Sequence, residues 1–244
     1  FQGDEVVALV DTLGTSQASI SSLTTYLSSV DTIASPYREN NYFHFAQSIG
    51  GDLSGAGRLT IGAGVGGAIQ TNTGCFGTIA GGCTNQNTSD YGFIGGGITN
   101  TISDHVNVLG GGCCNNMDGQ LGFMGGGHCN HADGSEYIVI GGGCRNSASN
   151  HDAIIVGGRT NTATGSAAYI GGGICVYAKD DYSTVVNGAN LSACGKFTFI
   201  GAGLANSIGS GGISDGFSTI VGGQSSRIGD GNSGSSHSFI GGGH

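Results

Sequence analysis

The side chains with the most reactive chemistry in this 244-residue chain are eight cysteines and seven histidines. The cysteines are Cys75, Cys83, Cys113, Cys114, Cys129, Cys144, Cys175 and Cys194, and no two are spaced Cys-x-x-Cys. An even count is compatible with disulfides in a secreted protein, and free, well-packed thiols are the plainer reading. A metal site ranks behind both. The histidines (His44, His105, His128, His131, His151, His237 and His244) contain no His-x-His pair. His128 and His131, with Asp133 nearby, come nearest to a cluster and read as exposed corner residues. Asp104–His105, His151–Asp152 and Asp180–Asp181 read as solvated loop positions. Gly-Gly-Gly runs recur without the Gly-Lys-Ser/Thr of a phosphate loop. No His-Glu-x-x-His occurs, the carboxylates are scattered, and tryptophan is absent. Polysaccharide cleavage needs paired carboxylates in a groove, so the chain reads as no enzyme, with no cofactor and no metal.

What must position these residues is a repeat. Taking the apolar residue before each glycine cluster as position 0 gives Ile79, Ile94, Leu109, Met124, Ile140, Ile155, Ile170, Val185, Ile200, Ile220 and Ile240. The spacing is 15 residues, with one coil of 16 and the last two of 20. Position +3 is glycine in all eleven coils. Position +6 is asparagine in Asn85, Asn100, Asn115, Asn130, Asn146, Asn161 and Asn206. Position +8 is apolar from Ile102 to Ile228, and Ile61 reads as the start of an imperfect earlier coil. Fifteen residues cannot bury an apolar face alone, but stacked copies can. The β-branched and aromatic residues around position 0 suit a short strand. Glycine turns the chain, and asparagine, which tolerates the left-handed region, reads as a second corner. The fold class is therefore all-β, a β-solenoid or β-roll of 15-residue coils.

Position −1 governs assembly. It holds Thr78, Phe93, Val108, Phe123, Val139, Ile154, Tyr169, Thr184, Phe199, Thr219 and Phe239. Successive strand side chains point to opposite faces, so with position 0 inside, this stripe faces out. A long exposed apolar stripe marks an interface. The expectation is a parallel homotrimer of rods joined through Phe93, Phe123, Tyr169, Phe199 and Phe239. At the N-terminus, Val6, Leu9, Leu13, Ser16, Ile20, Leu23, Leu27 and Val30 keep a 3,4 spacing. That reads as the a/d seam of a short trimeric coiled coil, with Leu13, Ile20 and Leu27 in the interface. Its flanks are Ser and Thr, poor helix formers, and Pro36 closes it. The expected organisation is a coiled-coil stalk at 1–35, a neck at 36–60 and the solenoid at 61–244.

The two 20-residue coils carry loops at 207–217 and 227–237. Insertions in a solenoid map to loops on one face, often the binding face. Ser210, Ile213, Asp215, Arg227, Asp230, Asn232 and His237 are the candidate receptor contacts, with Lys179, Asp180 and Tyr182 in a third irregular spot. The formal net charge of −9, without a basic run, excludes nucleic acid as the expected partner. No apolar stretch reaches the ~20 residues of a membrane span. Beginning at Phe1 and stopping at His244 inside a coil, the sequence reads as part of something longer.

The runs FIGGGITNTIS, VLGGGCCNN and VIGGGCRNSAS resemble the GGGxxN-type repeats of bacteriophage tail fibres, and more loosely the β-roll heads of trimeric autotransporter adhesins. The likeness covers about residues 76–244. Adhesin heads usually have a 14-residue period and few cysteines, and this chain departs from both. The resemblance implies a homotrimeric structural fibre protein of a virion, tied to other tail proteins on its N-terminal side. Such a fibre presents a surface for a saccharide or protein receptor of the host cell. The alternatives are a bacterial trimeric surface adhesin and a self-assembling extracellular filament subunit.

Overall fold

The computed structural model describes residues 70–243 except 135, 210–216 and 230–236, together with the backbone of the strands Val7–Asp11, Gly14–Ala18 and Leu59–Thr60. Among the described residues from 59 onward, the chain is an all-β parallel solenoid. Positions −1 and 0 of successive coils form one 12-stranded parallel sheet, running from Leu59–Thr60 to Phe239–Ile240. Positions +7 and +8 form a second, 11-stranded sheet from Thr71–Asn72 to Arg227–Ile228. Position +4 makes a third parallel line of single bridges, from Cys83 through Cys113, His128 and Cys144 to Gln224. At about 4.8 Å per strand the rod is roughly 50 Å long. The register opposes Thr60, not Ile61, to Ile79, which moves the start of the first coil back by one residue.

The strands are two residues long because corners follow at once. Three positions in every complete coil take left-handed backbone: glycine +3, residue +5 and residue −3. The asparagine column is not one of them, which corrects the expectation for +6. Thr99, Cys114 and Cys129 at +5 adopt φ of 55°, 57° and 54°, and the asparagine that follows each turns inward, buried. There it works through hydrogen bonds. Asn115 Nδ2 donates to Gly111 O in its own coil and to Gly127 O in the next, 3.0 Å each. Its Oδ1 accepts the N–H of Asn130 at 3.0 Å. One amide thus satisfies Gly111 O and the Asn130 N–H, which the corner would otherwise leave unpaired, and adds a second bond to Gly127 O, which also takes the Cys113 N–H.

Positions 0 and +8 fill the interior, and their side chains from Ile79 to Ile228 are buried. Position −2 trims the volume. A Cβ on Gly92 would lie 2.8 Å from Ile102 Cδ1, and one on Gly122 3.2 Å from Met117 Sδ. Where +8 shrinks to Ala132, Ile138 at −2 takes up the space. Longer coils keep the register: Met124 still pairs Ile140 and Ile200 still pairs Ile220. The extra residues are expelled into the arm between +9 and −3.

The expected coiled-coil seam does not appear in the N-terminal residues that are described. Val7–Asp11 and Gly14–Ala18 pair antiparallel, with Leu9 opposite Ser16. Both are seam positions, so the 3,4 spacing also matches a tight hairpin. Val and Thr favour strand over helix. Leu13, Ile20 and Leu27, and the rest of the expected stalk and neck up to residue 58, lie outside the described residues.

Candidate interaction surfaces

Position −1 does point outward. Phe93, Val108, Phe123, Phe199 and Phe239 are exposed, Phe239 by 71%, while Val139, Ile154 and Tyr169 are half-buried. The aromatic rings lie along the sheet. Phe93 Cε1 passes 3.5 Å from where a Cβ would stand on Gly95, and Phe199 Cε1 3.4 Å from one on Gly201. All five aromatic residues at −1 are followed two residues later by glycine, whereas Ile154, Thr184 and Thr219 are followed by Val156, Val186 and Val221. Ring and β-branched side chain exchange places, so the face stays apolar throughout. The outward residues of the second sheet are mostly polar: Thr71, Gln86, Thr101, Asn116, His131, Ser147, Thr162 and Ser192 among them. The rod therefore has one apolar and one hydrophilic face.

A second aromatic line, unforeseen from the sequence, runs along the −3 corner. Tyr182, Phe197, Phe217 and His237 stack in succession with ring centroids 4.8, 5.0 and 5.1 Å apart, and Phe76 stacks on Tyr91 at 5.1 Å. The signal was present, since −3 is Phe or Tyr in six of eleven coils. Each such pair contributes about 0.5–1.5 kcal/mol beyond its buried area. The stack also flanks the inserted arms in sequence. Phe217 and His237 are the first described residues after them, and the strands Ser207–Ile208 and Arg227–Ile228, which pair in register, lead into them. Both arms thus leave and rejoin the rod at the same corner of adjacent coils. Ser210, Ile213, Asp215, Asp230 and Asn232 within the arms lie outside the described residues.

The third irregular spot is held by charge. Lys196 Nζ lies 2.9 Å from Asp181 Oδ2, and the Ser166 N–H donates to Asp181 Oδ1 at 3.1 Å. These contacts hold the Asp181 carboxyl below the usual carboxylate range, the lysine first, and hold Lys196 above the ordinary lysine value. Lys179 sits over the Tyr177 ring, 5.2 Å from its centroid, and Asp180 accepts the Ser183 N–H through its backbone carbonyl. Asp90, at the same place in its own coil, takes the Cys75 N–H at 2.7 Å, and its carboxyl is likewise lowered. A carboxyl with a lowered folded pKa adds stability that is present above its unfolded value of about 3.9 and lost as pH falls through the folded value. Thermal midpoints measured from pH 7 down to pH 2 are expected to decline below about pH 4. Asp181→Asn is expected to lower the plateau slightly and flatten that decline; an unchanged acid limb in this variant would remove Asp181 from the account.

None of the eight cysteines is in a disulfide, and all are half-buried or exposed. Among the described residues two groups bring metal-ligating atoms within 4.8 Å of one another: Cys113, Cys114 and His128 at the +4/+5 corner, and Asp118, His131 and Asp133 on the hydrophilic face. No helix among the described residues is long and apolar enough to cross a membrane. Comparison with protein-family models and with curated proteins returns no match, so what this chain is similar to is stated by its architecture: a parallel β-solenoid of 15-residue coils with one apolar face.

Proposed function

We propose that this chain is a structural fibre protein of a virus particle that stands as a homotrimer and presents host-receptor contacts on its inserted arms. The observation that carries the reading is the apolar stripe that −1 and +1 together form on a parallel sheet whose opposite neighbour is polar. A stripe of this length on a soluble rod marks an interface. Its outward residues recur once per coil, at about 4.8 Å. Only a partner with the same period meets every one of them, and a second and third copy of this chain have that period by construction. A rod of joined copies is stiff, and the two arms at one corner of adjacent coils become a tripled surface in the trimer. Arg227 and His237 at the arm roots, with Lys179, Asp180 and Tyr182 beside the same aromatic corner, supply its polar contacts.

The test is mass in solution. The chain is expected to run at three times its 24.1 kDa. Phe123→Lys with Phe199→Lys is expected to release monomers that keep their β-sheet circular dichroism, because both residues point away from the core. A wild-type monomer would end the trimer and the attachment reading together. End-to-end filaments without receptor binding would favour a filament subunit instead. Location on the particle is read by electron microscopy with an antibody to this chain.

A further inference from the structure

The thiol-rich corner in the middle of the rod carries a second, independent chemistry. The +4 and +5 columns hold polar or aliphatic residues along most of the rod. In coils 109–123 and 124–139 they hold Cys113, Cys114, His128 and Cys129 without interruption, and Cys144 follows in the next coil. Parallel bridges set Cys113 beside His128 and His128 beside Cys144. Left-handed backbone at Cys114 and Cys129 swings the +5 side chain toward its +4 neighbour. As a result Cys113 Sγ lies 3.1 Å from Cys114 Sγ, and Cys129 Sγ lies 3.5 Å from His128 Nε2. The other ring nitrogen, Nδ1, lies 3.8 Å from Cys144 Sγ.

We infer that Cys113, Cys114, Cys129 and His128 form a binding site for a thiophilic d10 cation of the Zn2+ class. Three thiols and one imidazole are a standard tetrahedral donor set for that ion, with metal–sulfur bonds of about 2.3 Å and ligand atoms about 3.5–3.8 Å apart. Cys113, Cys114 and His128 already bring ligand atoms within 4.8 Å of one another, and Cys129, with its Sγ 3.5 Å from His128 Nε2, completes the set by side-chain rotation. The second ring nitrogen of a ligating histidine ordinarily donates to an outer partner that fixes the ring, and Cys144 Sγ stands in that position for Nδ1–H. All the donors are half-buried or exposed, so an ion reaches them from solvent. Carboxylate oxygens are absent from this corner among the described residues, which favours a soft ion over calcium or magnesium. Binding expels the thiol protons and ties two consecutive coils together across the stacking direction, adding a link to the ladder and asparagine hydrogen bonds that join them. The ion is a staple, with no free coordination position for catalysis.

The experiment uses the full chain, reduced and stripped of metal, titrated with Zn2+ against a chromophoric chelator and with Cd2+ followed by its ultraviolet thiolate charge-transfer band. One ion per chain is expected, with a rise in thermal midpoint on loading. The variant Cys113→Ile with Cys114→Thr installs the pair that the preceding coil already carries as Ile98–Thr99, so the rod keeps its fold. This variant is expected to lose at least about 100-fold in affinity. Cys194→Ser, remote from the corner, is expected to bind as the wild type does. Equal affinity in the double variant, or a Cys113–Cys114 disulfide that persists in reductant and blocks the ion, would overturn the site.

Discussion

Gly158→Ala is expected to cost the solenoid about 3–5 kcal/mol, whereas Gly157→Ala, one residue earlier, is expected to be neutral or to stabilise by about 0.5 kcal/mol. Gly158 stands at the +3 corner with φ +94°, and a Cβ there would lie 2.4 Å from Gly173 O and 2.9 Å from Gly173 N. The obstacle is the backbone of the next coil, which cannot yield without breaking the ladder on both sides. Left-handed backbone adds about 1–2 kcal/mol for a residue with a Cβ, and forced overpacking about 1–3 kcal/mol. Against a total stability of about 5–15 kcal/mol, that is enough to split the rod into two poorly coupled halves. At Gly157 a Cβ meets nothing within 4 Å, and φ lies outside the left-handed region. The only effect left there is the lower entropy of the unfolded chain, which favours alanine. Thermal and urea midpoints of the two variants, compared side by side, check this. Equal losses at both positions would mean that the corner is not set by the close approach of adjacent coils.

Asn130→Ala is expected to cost about 2–5 kcal/mol, because one truncation strands two backbone groups, Gly126 O and the Asn146 N–H, at about 1–3 kcal/mol each and removes one of the two bonds to Gly143 O. Asn130 is buried, and its Nδ2 donates to Gly126 O at 2.9 Å and to Gly143 O at 3.0 Å. Its Oδ1 accepts the Asn146 N–H at 2.9 Å. Asn130→Asp keeps the shape and turns the double donor into an oxygen facing two carbonyl oxygens. That carboxyl folds comfortably only when protonated, so its folded pKa rises above the unfolded value of about 3.9. The native state then binds more protons than the unfolded chain, and stability falls as pH rises from about 4 toward neutrality. The aspartate variant is expected to approach the wild type near pH 4 and to fall at or below the alanine variant at pH 7, as read from chemical denaturation at each pH. A constant gap between the two variants across that range would show that the amide hydrogens are not what the ladder uses.

Legibility followed from how local each cause is. The inward and outward positions were readable because strand alternation is a property of the chain itself, and Ile94 inside beside Phe93 outside follows from it. The left-handed corners at +5 and −3 were not. Arg145, Val106 and Leu121 have no local preference for that conformation, and they hold it because stacked coils over-determine it. The Cys129 N–H, for example, reaches Cys113 O in the coil before at 2.9 Å. Asparagine at +6 looked like a turn residue for the same reason, since two of the three partners of Asn115 or Asn130 lie 12 to 16 residues away. The cysteine corner was invisible as a site because its ligands lie one coil apart, a spacing no short metal motif uses.

The amino-acid order by itself determined the period, the buried columns and the apolar outer stripe, because each is written in the alternation and recurrence of side-chain types. Tertiary structure alone decided where the chain turns, what the asparagines bind and which thiols meet. Those depend on hydrogen bonds and contacts across about 4.8 Å between coils, and such neighbours exist only once the coils have stacked.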